Sequence, residues 1–412
     1  MKAEPGLDLT HVRAQYPALS DDWALFDNAG GSVPLRGVID RVRDYMTHWQ
    51  VNLGASYGPS AHATDLVAAG TRAMATLVHA DADEIVIGPS STMLVRLLAA
   101  ALAPAWKPGD EIVVTNLDHE ANIGPWRELL DRGLVIREWR FDPASGELTA
   151  EGLTPLLNAR TRLVAFTHVS NLYGTVHDAA ALVRRIQDAG ALACVDGVAF
   201  APHRRVDVRA IGADFYCLSL YKLSGPHLGL LYARRDRLRQ TRSLAHSFLG
   251  DDLGPYRLQP GNVNHELTAS LPAVLEYFAV LGARHANGAA LADDAARLDV
   301  AFGVIAAHEA GIAQPILDFL AARKGVRLLG RARMDEHRVP TISFTVDGRD
   351  SRALVEALDC ERIGTRFGHF YSYRAAEALG ILGQNGVVRA SLYHYNTRAE
   401  VERLLTALER VF

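Results

Sequence analysis

The stretch ADFYCLSLYKLSGP at residues 213–226 decides the fold. It starts with a mostly apolar run, Ala213 to Ser219, that is typical of a buried strand, and Lys222 follows three positions later, before a Gly-Pro turn. Lysine side chains are rarely buried, so a lysine just past a buried strand is a candidate nucleophile. A lysine in a turn is, taken alone, more often a surface residue, so the assignment depends on its neighbours.

A second strand-like run, Ala191 to Val195, ends at Asp196, which lies 26 positions before Lys222. Ligands bind where the carboxyl ends of parallel strands meet, and both side chains are predicted to project from that edge. The pair suits a pyridine cofactor, because the acid keeps the ring nitrogen protonated while the lysine forms an imine and moves protons. Asp196 by itself is also compatible with a turn or a cap, since Gly197 follows it.

Apolar runs alternate with helical stretches through the middle of the chain. This alternation predicts an α/β fold with a mostly parallel sheet, covered by helices on both faces. Besides the two runs above, we predict strands at Glu84 to Gly88, Glu111 to Thr115, Leu134 to Trp139, Leu163 to His168 and Gly229 to Tyr232, and helices at Leu94 to Leu102, Ile123 to Asp131 and Ala179 to Ala189.

The character of the chain changes after about Pro272. An Ala/Leu-rich tract, Leu271 to Ala310, predicts a long helix, and a smaller α+β pattern follows it. We therefore predict a large cofactor-binding domain at residues 21–270 and a small C-terminal domain at residues 271–412, on which residues 1–20 pack. The smaller pattern has strands at Val326 to Leu329, Thr341 to Val346 and Val387 to Leu392, and helices at Arg352 to Leu358 and Arg398 to Val411.

Two further motifs follow predicted strands. The segment GPSST at 88–92 leads into a helix, where Ser91 and Thr92 with backbone N–H groups can cradle a phosphate; ordinary N-capping explains it equally well. His119 follows the strand Glu111 to Thr115 and can stack on a flat ring, although a lone histidine there is more often structural. The absence of HExxH spacing predicts no metal site.

Composition narrows the partners and the compartment. The 412 residues carry a net charge of −4, which offers no electrostatic case for nucleic acid or an anionic membrane. We expect no membrane span, because no apolar run approaches the roughly 18 residues that one needs. Cys194, Cys217 and Cys360 form no CxxC, and buried reduced thiols fit the cytoplasm. The N-terminus shows no apolar core of a signal peptide, so a cytoplasmic protein is expected.

Taken in order, these segments resemble the class V aminotransferase superfamily of pyridoxal-phosphate (PLP) enzymes, fold type I, and within it the cysteine-desulfurase-like proteins. The resemblance runs from FDNAG at 26–30 to RASL at 389–392. It implies the PLP-dependent transferase fold type I, with a seven-stranded sheet and a smaller C-terminal domain. It also implies pyridoxal 5′-phosphate as cofactor, a small amino acid as substrate and a homodimer.

The resemblance assigns most of the motif residues to the cofactor. Lys222 would hold it as a Schiff base, Asp196 would pair with the pyridine nitrogen and His119 would stack on the ring; these three form the predicted catalytic set. The phosphate would be held by hydroxyl groups, those of Ser91, Thr92, Ser219 and Tyr221. Tyr221 stands where cysteine desulfurases usually have histidine, and a phenol also donates to a phosphate oxygen.

The remaining assignments concern the substrate and the partner subunit. Arg389 matches the arginine that clamps the substrate carboxylate, a task that a bidentate guanidinium suits. Arg366 matches a second active-site arginine, and Asn171 matches an asparagine near both ring and substrate. Asn262, in Gly261-Asn262, resembles a segment that crosses a dimer interface to the phosphate of the other subunit.

Two positions depart from the desulfurase pattern. Tyr371 stands where desulfurases carry their sulfur-accepting cysteine, and a phenol cannot form a persulfide. Ala199 stands where they have a glutamine that hydrogen-bonds the cofactor's phenolic oxygen, and His203 or a neighbouring side chain is a candidate replacement. We therefore favour a C–S lyase type of enzyme without a persulfide relay. The alternatives are a class V aminotransferase, an amino-acid epimerase, a bond-forming enzyme of secondary metabolism and a non-catalytic binding or assembly subunit.

Overall fold

The computed structural model describes residues 6–20, 22–250, 252–286, 288 and 290–412. Thirteen strands lie in the described part of the chain, and seven of them build the large sheet. Their bounds are β1 Ala24–Leu25, β2 Ile85–Gly88, β3 Glu111–Thr115, β4 Val135–Trp139, β5 Thr161–Thr167, β6 Leu192–Asp196, β7 Phe215–Ser219, β8 Gly229–Ala233, β9 Val326–Leu328, β10 Thr341–Val346, β11 Ile363–Gly364, β12 Arg366–Gly368 and β13 Val387–Ser391.

The helices cover both faces of this sheet and one face of a smaller one. Their bounds are α1 Leu9–Ala14, α2 Arg36–His48, α3 Gly58–Val78, α4 Ser91–Leu102, α5 Gly124–Arg127, α6 Ala150–Leu153, α7 Ala179–Asp188, α8 Val208–Ile211, α9 Arg235–Gln240, α10 His265–Ala269, α11 Pro272–Arg284, α12 Asp294–Ala321, α13 Ser351–Cys360, α14 Tyr373–Ala378 and α15 Arg398–Val411.

The large sheet has the strand order β2-β8-β7-β6-β5-β3-β4. All neighbours are parallel except β8, which runs antiparallel to both β2 and β7. The predicted mostly parallel, seven-stranded sheet is therefore confirmed. Because β6 and β7 are parallel neighbours, the residues that follow them emerge at the same edge.

Each strand of the large sheet contributes side chains to two separate hydrophobic cores, one on each face of the sheet. In β7, Tyr216 and Leu218 face one core while Phe215 and Cys217 face the other. This alternation is what a strand buried on both faces requires. Cys194 and Cys217 are both buried and unpaired.

The C-terminal part forms a four-stranded antiparallel sheet in the order β12-β13-β10-β9. Its core also takes in Ala24 and Phe26 from the start of the chain, because β1 pairs with β11. Helix α1 contacts this part through Arg13, whose Nη1 donates to the Tyr395 carbonyl at 3.0 Å, while Tyr16 lies in the core next to the large sheet. The division at residue 270 stays a prediction.

Two helix predictions differ from the structure. The tract Leu271 to Ala310 is not one helix but two, α11 and α12, and α12 continues to Ala321. Asp293 starts α12 by accepting the backbone N–H of Ala296, a capping signal that the Ala/Leu count overlooks. Ile123 to Asp131 is a single α-turn followed by a 3₁₀ turn that ends at Gly133, with φ of 81°.

The prediction that no segment has the length and hydrophobicity of a membrane span was wrong. His265–Arg284 and Asp294–Ala321 are both long and apolar enough by length and composition. Isolated charged residues interrupt the apolar runs in both segments, although the mean hydropathy of each segment is high enough for a membrane span. Their largest apolar side chains, Phe278, Leu298 and Phe302 among them, lie in the core beside the large sheet, so packing accounts for this hydrophobicity.

Candidate active site

Two adjoining cavities lie at the carboxyl edge of the large sheet. The inner one is lined by Asp196 and Ser219 at the ends of β6 and β7, and the outer one measures about 420 Å³. Four side chains line both cavities: His119, Asn171, Tyr221 and Lys222. The structure thus brings Lys222 and Asp196 to the same sheet edge, at the boundary between two connected spaces.

Lys222 is buried, with 8% of its surface exposed. Burial, together with the charge of Arg389, lowers the pKa of its amine to about 8, although Asp196 acts in the opposite direction. The turn that carries Lys222 is held by Ser32, whose Oγ donates to the Tyr221 carbonyl at 3.1 Å and accepts the Ser224 N–H at 2.8 Å. The lysine therefore sits on a fixed support and has access to its neutral form.

Asp196 is buried, and its Oδ1 accepts the backbone N–H of Val198 at 2.9 Å. Burial raises the pKa of this carboxyl, which the Val198 hydrogen bond and Lys222 oppose. A Cβ at Gly197 would lie 2.1 Å from the ring of Tyr216, so close packing requires the glycine. Asp196 is thus a turn residue and a cavity residue at once.

His119 has a defined hydrogen-bonding role. Its Nδ1 accepts the backbone N–H of Ala121 at 3.1 Å, so Nε2 is the nitrogen that carries the proton. Burial, followed by the charges of Lys222 and Arg389, lowers the pKa of the imidazole to about 4. His119 is therefore a neutral ring with one N–H at physiological pH, and its face is suited to stacking.

The start of α4 forms a polar cradle at the inner cavity. Ser90 is the N-cap, because its side chain accepts the Met93 N–H at 3.1 Å. This leaves Ser91 and Thr92 to line the cavity, where Ser91 Oγ lies 2.9 Å from Ser219 Oγ. Ser90 therefore serves as the ordinary helix cap, and Ser91 and Thr92 are the residues that can hold a phosphate. The helix dipole favours an anion at this place.

The outer cavity contains two arginines. Arg389 is 2% exposed, donates from Nη1 to the Asn171 carbonyl at 3.2 Å and from Nη2 to Asp27 Oδ1 at 3.0 Å. Arg366 is more exposed and approaches Asp27 Oδ2 at 3.4 Å. Burial lowers the pKa of Arg389 to about 10, yet the guanidinium stays charged near neutrality. The ring of Phe370 covers it, 3.6 Å from Cζ.

The loop after β12 holds Tyr371 at the mouth of the outer cavity. Phe370 and Tyr371 both adopt left-handed φ values, 50° and 60°, which is strained for residues with side chains. Asn171 holds this loop, donating to the Phe370 carbonyl at 3.0 Å and accepting from Ser372 Oγ at 2.7 Å. The Tyr371 ring lies 5.1 Å from that of His119.

Two residues named from the sequence, Asn262 and His203, lie outside both cavities. Asn262 lines a separate, mostly apolar cleft beside Ile87 and Leu258 and does not join the other site residues of its own chain. His203 pairs with buried Glu309 at 2.9 Å and lines neither cavity, so it does not replace the glutamine missing at Ala199. Ala199 itself lines the inner cavity.

Three further residues contribute to the site without having been predicted from the sequence: Asp27, Asp118 and Phe370. Asp27 and Phe370 contact Arg389, and Asp118 is the buried residue that precedes His119. Asp118 accepts the Asn122 amide at 2.6 Å and the Thr167 N–H at 3.2 Å, and burial raises its pKa to about 7. Asp27 lies inside the motif FDNAG and Asp118 directly precedes His119, so their positions in the sequence were usable signals.

The residues fit pyridoxal phosphate on the chemistry of the donor set. A buried carboxylate, a neutral imidazole, an amine of lowered pKa and a hydroxyl cradle at a helix N-terminus surround one cavity. A Cβ on Gly229 would lie 2.4 Å from the backbone of Ser90 and Ser91, so the absence of a side chain lets β8 lie against the cradle. Among the described residues no cluster of three metal-ligating side chains occurs.

Comparisons with known proteins assign the chain to a family. The model of the family Aminotransferase class-V matches residues 24–404. The chain belongs to that family. Members of it include enzymes that depend on pyridoxal phosphate, and this class-V chain is accordingly a PLP-dependent enzyme of the cysteine-desulfurase-like type.

Relatives of similar length support the assignment. The chain is 38% identical to the aminotransferase-like protein FGM3 of Gibberella zeae, over 98% of each chain. It is 32% identical to the cysteine desulfurase-like protein ustD of Aspergillus flavus, over 98% of this chain and 91% of that one. The solved cysteine desulfurase of Thermococcus onnurineus superposes with a TM-score of 0.86 at 26% identity, over 99% and 98% of the chains.

Proposed function

We propose that this class-V enzyme cleaves a carbon–sulfur bond of a small amino acid without a persulfide relay. The observation that carries the proposal is the identity of the residue at the cavity mouth. Tyr371 lines the cavity there, and no cysteine does. Cys194 and Cys217 are buried in the sheet, where burial raises the pKa of both thiols. Cys360 is exposed at the end of α13, and its Sγ contacts the Glu356 carbonyl at 3.4 Å.

The residues divide the work of such a reaction. Bound pyridoxal phosphate supplies an electron sink that makes the α-carbon of an amino acid acidic. Arg389 binds the α-carboxylate, Asp196 keeps the ring nitrogen protonated and Lys222 Nζ takes the α-proton. The Nε2–H of neutral His119 would donate a hydrogen bond to the departing sulfur, and the proton that Lys222 takes from the α-carbon would pass to that sulfur. With cysteine and water, the products are sulfide, pyruvate and ammonium.

The three cysteines provide the sharpest test. A variant with Cys194→Ala, Cys217→Ala and Cys360→Ala should release sulfide and pyruvate from L-cysteine at the wild-type rate, because no thiol takes part. Loss of sulfide release in a folded, cofactor-loaded variant would establish a relay and overturn the proposal. No sulfide from the wild-type enzyme with any sulfur amino acid would also overturn it.

A two-substrate reaction is the second candidate. The outer cavity of about 420 Å³ falls within the range of roughly 300–1,000 Å³ typical of pockets for larger ligands, which exceeds the needs of one small amino acid. Transamination with a keto acid, or bond formation to a co-substrate, would use that space, and the similarity to FGM3 fits transamination. Keto acid release identifies an aminotransferase, a coupled product identifies bond formation, and α-deuterium exchange without net product identifies an epimerase.

A non-catalytic binding role is tested by the visible spectrum. The reconstituted enzyme should show the absorbance band of a lysine-bound cofactor, and Lys222→Ala should abolish it. A protein that never develops this band would contradict the enzyme assignment.

We also propose a homodimer that acts in the cytoplasm on a small amino acid. Asn262 supports the dimer, because it lies in a mostly apolar cleft next to Pro260 and Met93, outside the site of its own chain. In a dimer, the partner subunit's Asn262 would reach the phosphate cradle. The three free cysteines support a reducing compartment.

A further inference from the structure

The two arginines of the outer cavity lie directly opposite each other on neighbouring strands. Arg366 of β12 is the register partner of Arg389 of β13. Like charges in this arrangement repel each other and destabilise the sheet unless a counter-charge is present. Burial of Arg389 strengthens that demand, since a buried charge requires a partner.

Asp27 supplies the counter-charge to both arginines. Its Oδ1 accepts from Arg389 Nη2 at 3.0 Å, and its Oδ2 lies 3.4 Å from Arg366 Nη1. Its backbone is anchored to β13, because Asp27 bridges Ser391 and the next two residues bond to Ser391 as well. The carboxylate is therefore held between the arginines by the fold.

The hydrogen bonds of Arg389 leave one position open. Nη1 bonds to the Asn171 carbonyl, Nη2 bonds to Asp27, and buried Nε has no partner among the described residues. Nε and Nη2 share one edge of a guanidinium, and a carboxylate binds such an edge through two parallel bonds. A ligand carboxylate that binds there shares Nη2 with Asp27, and the repulsion between the two carboxylates sets them in competition for the guanidinium.

We propose that Asp27 is a resident counter-ion of the carboxylate site, which the substrate carboxylate displaces from Arg389 while Arg366 retains it. The inference rests on the proposed amino-acid substrate and adds a resident competitor for its carboxylate. A carboxylic acid without an amine gains only the Arg389 contact and must compete with Asp27. An amino acid also reacts with the cofactor through its amine, which offsets the competition. Asp27 lowers the affinity for both kinds of ligand, so a simple carboxylate leaves Arg389 unoccupied at concentrations at which an amino acid still binds.

Binding of propionate to the cofactor-loaded enzyme tests the proposal by calorimetry. Asp27→Asn removes the competing charge, so its Kd for propionate should fall about tenfold, a modest share of the attraction between charges at contact distance. Asp22→Asn is the matched control, since Asp22 is exposed and pairs only with the exposed Arg362 among its described partners; its Kd should stay at the wild-type value. Adding Arg389→Ala to Asp27→Asn should abolish the gain.

The opposite sign would overturn the proposal. If Asp27 instead orients Arg389 for the substrate, Asp27→Asn weakens propionate binding, and an unchanged Kd excludes any competition. Asp27→Ala serves as the second variant if the asparagine protein does not fold. Because propionate has no amine and undergoes no reaction, a tighter Kd stands even if the enzyme cleaves no C–S bond. Failure of turnover therefore counts against the proposed function alone.

Discussion

Lys222 shows how one residue acquires its chemistry from its surroundings. Its amine is buried, lies near a second positive charge, Arg389, and faces a carboxylate that only partly compensates. Burial disfavours the charged form of a lysine, so the neutral nucleophile becomes available close to physiological pH. The same surroundings keep His119 neutral, because its lowered pKa reflects burial first and the charges of Lys222 and Arg389 second.

The lowered pKa predicts how cofactor attachment depends on pH. In the cofactor-free protein, the neutral fraction of Lys222 grows as pH rises through its pKa of about 8. The rate at which added pyridoxal phosphate forms the lysine-bound absorbance band should rise between about pH 7 and 9 and then level off. An ordinary lysine would keep gaining rate up to about pH 10, and that profile would contradict the burial argument.

Arg389 gives a second prediction at this scale. Arg389→Ala should raise the KM for the amino acid far more than it weakens pyridoxal phosphate binding, because the guanidinium bonds Asn171 and Asp27 and lines only the outer cavity. Steady-state kinetics and cofactor titration measure the two effects separately. Arg362→Ala, an exposed arginine, is the control. Equal losses in both measurements would argue against a carboxylate clamp.

Among the elements, α4 and β8 depend on each other. The N-terminus of α4 can serve an anion because its cap is Ser90, which leaves the next two residues to the cavity. Strand β8 can approach that terminus because Gly229 has no Cβ. The fit between one helix end and one antiparallel strand therefore sets the shape of the cradle.

Gly229→Ala tests this contact. The added Cβ would lie 2.4 Å from the Ser90 and Ser91 backbone, so unfolding free energy should fall by about 1–3 kcal/mol and cofactor affinity should fall with it. Gly311 is exposed on α12 and a Cβ there would meet nothing within 4 Å, so Gly311→Ala should instead raise stability by about 0.5–1 kcal/mol. Thermal unfolding and cofactor titration provide both readouts. A neutral Gly229→Ala would mean that β8 shifts freely.

At the scale of the whole molecule, the proposed dimer makes a complementation prediction. Lys222→Ala and Asn262→Ala subunits should each form weakly active or inactive homodimers. Mixed dimers should recover activity, because the Asn262→Ala subunit keeps Lys222 and receives the partner subunit's Asn262. Refolding the two variants together and assaying the mixture tests it. No gain over the separate variants, with mixed dimers present, would contradict a shared site.

Local patterns predicted much of this molecule. The strands of the large sheet were found within a residue or two, because apolar runs and their punctuation are local signals. The prediction of one helix over Leu271 to Ala310 failed because it weighed only the Ala/Leu content, whereas the turn signal Asn287-Gly288 and the cap Asp293 interrupt that tract. Asn262 could be named from a motif, yet it lies outside the site of its own chain, so its role depends on the proposed dimer.

The sequence by itself determined the parallel sheet and the meeting of Lys222 with Asp196, since strand periodicity and the rule that strand ends share an edge are sufficient for both. Only the tertiary structure decided what surrounds Arg389. Asp27 contacts it from 362 positions away, and Arg366 opposes it through strand register. Such contacts leave no period in the chain, because they arise from the packing of separate elements. The role of Lys222 can therefore be predicted from its neighbours in the sequence. The charge balance around Arg389 depends on residues that only folding brings together.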